Sequence, residues 1–161
     1  MLKHFCDWLS GTSLSVAFQS WDWFVPIVQT VHILGIAVVL IAVYTLSFRL
    51  VGLSRSSQSL AALVTSSLPW TWVALGVLLL TGVLLTITEP ERELLNNVFR
   101  AKMLMVLILG MVLLVVQTRV KNHPNYWSES SGRRIAARAL GLFLFLIGAG
   151  IVTAGRWIAY V

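Results

Sequence analysis

Charged residues divide this chain into long uncharged blocks. One runs over 23–48, between Asp22 and Arg49, and a second over 56–88, between Arg55 and Glu89. A third apolar run covers 98–118, with Arg100 and Lys102 in its first turns. A fourth covers 135–155, with Arg138 near its start and Arg156 just beyond its end. A helix rising ~1.5 Å per residue crosses about 30 Å of hydrocarbon in ~20 residues, so each block is long enough to span a membrane. The Ser-rich start of the second block reads as loop. Its span is therefore predicted over 69–88, opened by Pro69, a residue tolerated in a helix's first turn. Between the second and third spans, Pro90 stops one helix, and Asn96 or Asn97 can cap the next.

The first 22 residues lack an unbroken apolar stretch, because Cys6, Asp7 and Gln19 interrupt them, so they do not read as a signal peptide. Leu2, Phe5, Trp8 and Leu9 fall at helical spacing, which predicts a short amphipathic helix in the membrane interface. The predicted fold is all-α: an integral membrane four-helix bundle with a short N-terminal interfacial helix, forming one transmembrane domain over residues 1–161. The links between spans are too short for a separate domain.

Composition reinforces this pattern. The 161 residues are 58% hydrophobic and 11% charged, against roughly 45–50% and about 25% in soluble domains. That excludes a soluble enzyme, a nucleic-acid module and a disordered chain. One cysteine excludes an internal disulfide, a CxxCH haem attachment and a cysteine-built zinc or iron–sulfur site. The net charge of +6 then reads as topology. Arg49, Arg55, Arg119, Lys121, Arg133, Arg134 and Arg138 share one side, against Lys3, Arg92, Arg100, Lys102 and Arg156 on the other. The positive-inside rule puts the first group in the cytoplasm and both termini outside it. The expected location is a bacterial cytoplasmic (inner) membrane, crossed several times. Trp21, Trp23, Trp70, Trp72, Trp127 and Trp157 lie near predicted span ends, as in an aromatic belt.

Ionisable residues inside hydrocarbon are functional candidates by default. His32 is the histidine inside a predicted span, about 13 Å below its start. Gln29 lies one turn earlier, and Gly35 one turn later leaves room for a flat cofactor or a close helix. The plainer alternative is a histidine hydrogen-bonded to a neighbouring helix. Lys102 enters from the same outer side, either as part of a site or snorkelling to the headgroups. Glu89 and Arg156 end the second and fourth spans on that side. The four helices thus each bring a polar group to one end, and a Glu89–Arg156 or Glu89–Lys102 pair is expected there. Gly141, Gly148 and Gly155 form a stripe at seven-residue steps that suits close helix packing. Met103, Met105 and Met111 read as packing rather than copper thioethers.

W-F-V-P-I-V-Q-T-V-H-I-L-G (23–35), R-L-V-G (49–52), P-W-T-W (69–72), T-G-V-L-L (81–85), N-x-x-F-x-x-K-M (96–103) and G-R-W-I-A-Y (155–160) resemble an uncharacterised family of small bacterial four-helix membrane proteins. Ser47 and Phe48 stand where that family carries an aspartate before Arg-Leu. A sparser pattern, H-x-x-G in the first span, R-L near its end and a lysine opening the third, resembles the haem-containing membrane protoporphyrinogen oxidases and their CopD-like copper-resistance relatives. That resemblance implies one haem b, with His32 as main axial ligand and Lys102 as second ligand or electrostatic partner. Leu113 and its neighbours are apolar where the oxidases carry a further histidine. Arg156 or Arg100 would pair with a propionate. The expected function is b-type haem electron transfer with a quinone or periplasmic redox partner. The alternatives are a copper-like metal-ion transporter or channel and a non-catalytic structural membrane subunit. A homo-oligomer is compatible with either.

Overall fold

The computed structural model describes residues 2–53, 59–127, 129–158 and 160. Among them the chain forms helices only: α1 (Leu2–Ser10), α2 (Ser13–Ser20), α3 (Phe24–Val51), α4 (Leu60–Thr88), α5 (Pro90–Leu94), α6 (Asn97–Asn122) and α7 (Ser131–Trp157). The four long helices α3, α4, α6 and α7 are each long and apolar enough to cross a membrane. They form a ring in which α3 meets α4, α4 meets α6, α6 meets α7, and α7 returns to α3. Neighbours are antiparallel.

The outside of the ring is apolar. Ile33, Leu34, Ile41, Leu79, Leu80, Leu104, Leu107 and Leu146 are all exposed. A surface of this kind requires lipid rather than water. The protein is a multi-pass membrane protein with a helical bundle in contact with lipid.

Local chemistry sets the helix ends. Ser59 caps α4 by accepting from the Ala62 amide at 3.1 Å, Asn96 caps α6 from Val98 at 2.8 Å, and Ser130 caps α7 from Arg133 at 3.3 Å. Gly52 closes α3 with φ +89°, a left-handed conformation suited to glycine. The α4 cap departs from expectation. The helix begins at Leu60, not near Pro69, and Pro69 lies inside it. The hydroxyls of Thr65 and Ser66 bond back to the carbonyls of Ala61 and Leu63 in their own helix. These polar residues therefore do not need a loop.

The dry core occupies one half of the bundle. Val39, Val43, Leu46 and Leu50 of α3 pack with Val64 and Leu68 of α4. Leu109, Leu113, Val116 and Val120 of α6 and Ala137, Leu144 and Ile147 of α7 complete it. This is the half that carries the α3–α4 and α6–α7 connections. Here α3 and α7 touch backbone to backbone: a Cβ on Gly141 would lie 2.7 Å from the Ser47 carbonyl oxygen, and Ser47 Oγ donates to the Gly141 carbonyl at 2.6 Å. Gly148 receives the Tyr44 ring in the same seam. The glycine stripe thus packs helices over its first two members. Trp72 Nε1 donates to Gln117 Oε1 at 2.8 Å, tying α4 to α6. Trp72 and Trp127 pack against the core instead of joining an outer belt, while Trp21, Trp23, Trp70 and Trp157 are exposed.

At the opposite end the N-terminal segment forms two short helices, α2 packed on α3 and α4 and α1 on α4 and α5. A helix leaves its last carbonyls without intrahelical partners, and α2 supplies two for α4. Ser15 Oγ donates to the Ile87 carbonyl at 2.8 Å, and Gln19 Nε2 donates to the Thr88 carbonyl at 2.9 Å and to Ser15 Oγ at 3.0 Å. In α1 the buried Cys6 thiol faces the Pro90 carbonyl at 3.7 Å. Phe5 and Trp8 stay exposed, as an interfacial helix requires.

Candidate functional site

The half of the bundle next to α1, α2 and α5 holds His32 and Lys102. His32 projects from α3 toward α4, where its Nδ1 lies 2.7 Å from Thr81 Oγ1. The Thr81 hydroxyl also lies 2.7 Å from the Val77 carbonyl oxygen. A carbonyl cannot donate, so the hydroxyl proton belongs to that contact. The network therefore assigns the second proton to His32 Nδ1, which donates to Thr81, and leaves Nε2 with its lone pair. Gly82 lies beside the ring, where a Cβ would be 3.6 Å from His32 Cε1, an ordinary contact distance.

Lys102 comes from α6 and crosses toward α7, where its Nζ would lie 3.7 Å from a Cβ placed on Gly155. It is half-buried and within electrostatic reach of both His32 and Glu93. Glu93 sits on α5. Burial raises its carboxyl above the ordinary glutamate range; Lys102 and Arg92 pull it back, and Glu89 pushes it up again. His32, Lys102 and Glu93 are thus three titratable groups from three helices, in one electrostatic neighbourhood.

Lys102 lies within electrostatic reach of His32, and the structure corrects several other expected placements. Glu89 pairs with neither Arg156 nor Lys102. It is exposed and takes Arg92, three residues on, at 2.7 Å. Arg156 is exposed too, and its Nη2 donates to its own chain's Tyr160 hydroxyl at 2.7 Å. Gln29 is exposed. The space beside Gly35 is filled: a Cβ there would meet Leu78 Cδ2 at 3.0 Å, so this glycine serves a close helix rather than an open slot. Met103 and Met111 are exposed, and Met105 packs on Gly150.

Three site residues escape a reading of the sequence. Thr81 and Gly82 look like ordinary members of an apolar span, and Glu93 like one of several acids in a solvated turn. A signal did exist for the first two. In an antiparallel pair, an α3 residue about nine positions from its start faces an α4 residue at a similar distance from its end.

Among the described residues no group of three or more His, Cys, Asp or Glu side chains could hold a metal ion. One imidazole with a free Nε2 can still serve a cofactor that brings its own donors. No model of a protein family matches the chain, and neither a curated protein nor a solved structure is significantly similar to it.

Proposed function

We propose that this chain is a redox protein of a bacterial cytoplasmic membrane that holds one b-type haem in its outer half, with His32 as axial ligand. The supporting observation is the His32–Thr81 contact. A hydrogen bond from one ring nitrogen fixes the tautomer and aims the other, the arrangement that metal-bound imidazoles use. Haem iron receives its equatorial nitrogens from the porphyrin, so a single protein donor is enough. A bare copper ion draws several donors from protein, and among the described residues no group of three or more His, Cys, Asp or Glu side chains gathers for one.

The rest of the site fits the group in part. Lys102 is assigned an electrostatic role, since Glu93 gives it a counter-charge and Gly155 gives it room beside α7. Arg156 at the rim is exposed and could meet a propionate. Gly35 and Gln29 are assigned nothing, because Leu78 fills the first and the second is exposed. When bound, haem would supply one-electron transfer, and a quinone or a periplasmic partner would exchange electrons with it. The excess of basic residues on the α3–α4 and α6–α7 connections supports placing both termini outside the cytoplasm.

A second reading has its own observation. With Nδ1 satisfied by Thr81 and Gly35 closed by Leu78, His32 also serves as a clasp between α3 and α4 in a structural membrane subunit. One spectrum separates the two. Detergent-purified protein, expressed with ample haem, is expected to show a Soret band, and His32→Ala to lose it while the chain still inserts. Colourless wild-type protein would overturn the haem assignment and leave the clasp.

A further inference from the structure

The end of the bundle opposite His32 contains a cavity of about 500 Å3 between the C-terminus of α3, the start of α4 and the first turns of α7. Arg49, Arg134 and Arg138 line it, and none of its lining residues is an Asp or Glu. Leu50, Leu60 and Trp127 form part of its apolar wall.

Three arginines lining one cavity concentrate positive charge there, which favours an anion as its occupant. Each guanidinium carries five N–H donors in a planar fork that matches phosphate oxygens, so one that already has a partner keeps donors to offer. The cavity lies where three membrane-spanning helices end, at the boundary between hydrocarbon and water. A ligand there meets charge on one side and apolar side chains on the other. A phosphate joined to acyl chains has both characters, whereas a free phosphate has only the first.

We propose that this cavity binds the phosphate headgroup of an anionic phospholipid, held by Arg49, Arg134 and Arg138 with its glycerol and upper acyl carbons against Leu50 and Leu60. The site is independent of the haem reading, since it lies at the other end of the molecule and shares no residue with it.

The test uses the full chain in nanodiscs of phosphatidylcholine doped with phosphatidylglycerol, with bound lipid counted by native mass spectrometry. Phosphatidylglycerol should be retained at least fivefold over phosphatidylcholine. Arg138→Gln should cut that retention by roughly fivefold, the effect of one basic group near a charged headgroup. Arg92→Gln, at the far end, should leave it unchanged. Equal retention of the two lipids would overturn the proposal, and so would an Arg138→Gln protein that keeps the wild-type ratio. Inorganic phosphate that displaces the lipid at millimolar concentration would identify a soluble phosphate as the ligand and overturn the lipid assignment. Should Arg138→Gln fail to fold, the wild-type ratio alone decides.

Discussion

The two halves of the bundle use the same four helices and the same kinds of residue to opposite ends. In the half that carries the α3–α4 and α6–α7 connections, glycine brings backbones together: Gly141 lies against the Ser47 carbonyl, and a sheath of Leu and Val closes around the contact. In the other half, glycine lies beside polar side chains without being required by them: a Cβ would stand 3.6 Å from the His32 ring at Gly82 and 3.7 Å from the Lys102 ammonium at Gly155, ordinary contact distances. Ser47 ties helix to helix through a main-chain carbonyl, whereas Thr81 orients a side chain. The members of one glycine stripe are therefore not equivalent: a backbone contact requires Gly141, whereas a methyl at Gly155 would be at ordinary contact distance. What lies opposite makes the difference, because a backbone oxygen cannot yield and a lysine tail can.

That contrast can be broken by substitution. Gly141→Ala should have the largest effect, about 2–3 kcal/mol of destabilisation, because the added methyl would sit 2.7 Å from a main-chain oxygen and α3 would have to shift. A thermal melt in detergent reads it, and an unchanged midpoint would show that the seam is looser than described. Thr81→Val keeps the shape but removes the acceptor of His32 Nδ1–H, which should cost about 1–2 kcal/mol for a donor left unpaired. If the haem reading holds, the same variant should also shift the Soret maximum, because the ring loses its anchor while keeping its ligating nitrogen. A variant with unchanged stability and spectrum would dissociate Thr81 from His32. Gly155→Ala should matter least, within about 0.5 kcal/mol of wild type, since the new methyl meets only the flexible end of Lys102 at 3.7–3.8 Å. Destabilisation as large as that of Gly141→Ala would mean that the stripe is uniform after all.

The fold was legible because membrane length is a coarse requirement that uncharged blocks meet or miss. His32 and Lys102 were legible for the converse reason: a titratable group inside such a block stands out. The partners of these residues were not. Thr81 is hidden because a hydroxyl in an apolar helix is ordinarily satisfied by its own preceding turn, and Thr81 does bond Val77 as well as facing His32. Glu93 is hidden because burial, not identity, distinguishes it from Glu89 and Glu91. The expected Glu89–Arg156 pair failed for a local reason: Arg92 is three residues from Glu89 on the same helical turn and reaches it without any tertiary approach. The start of α4 was misplaced because Ser and Thr were read as loop formers, although their hydroxyls can be satisfied within a helix. Pro69 then attracted the boundary by its usual habit.

The docking of α2 on the end of α4 carries a consequence in time. Ser15 and Gln19 are made early, but the carbonyls they bond belong to Ile87 and Thr88, 72 and 69 positions later. At about 5–20 residues per second of synthesis, roughly 4–14 s separate the two groups. During that interval α2 lacks those acceptors, so its docking on α4 can only follow completion of the second span.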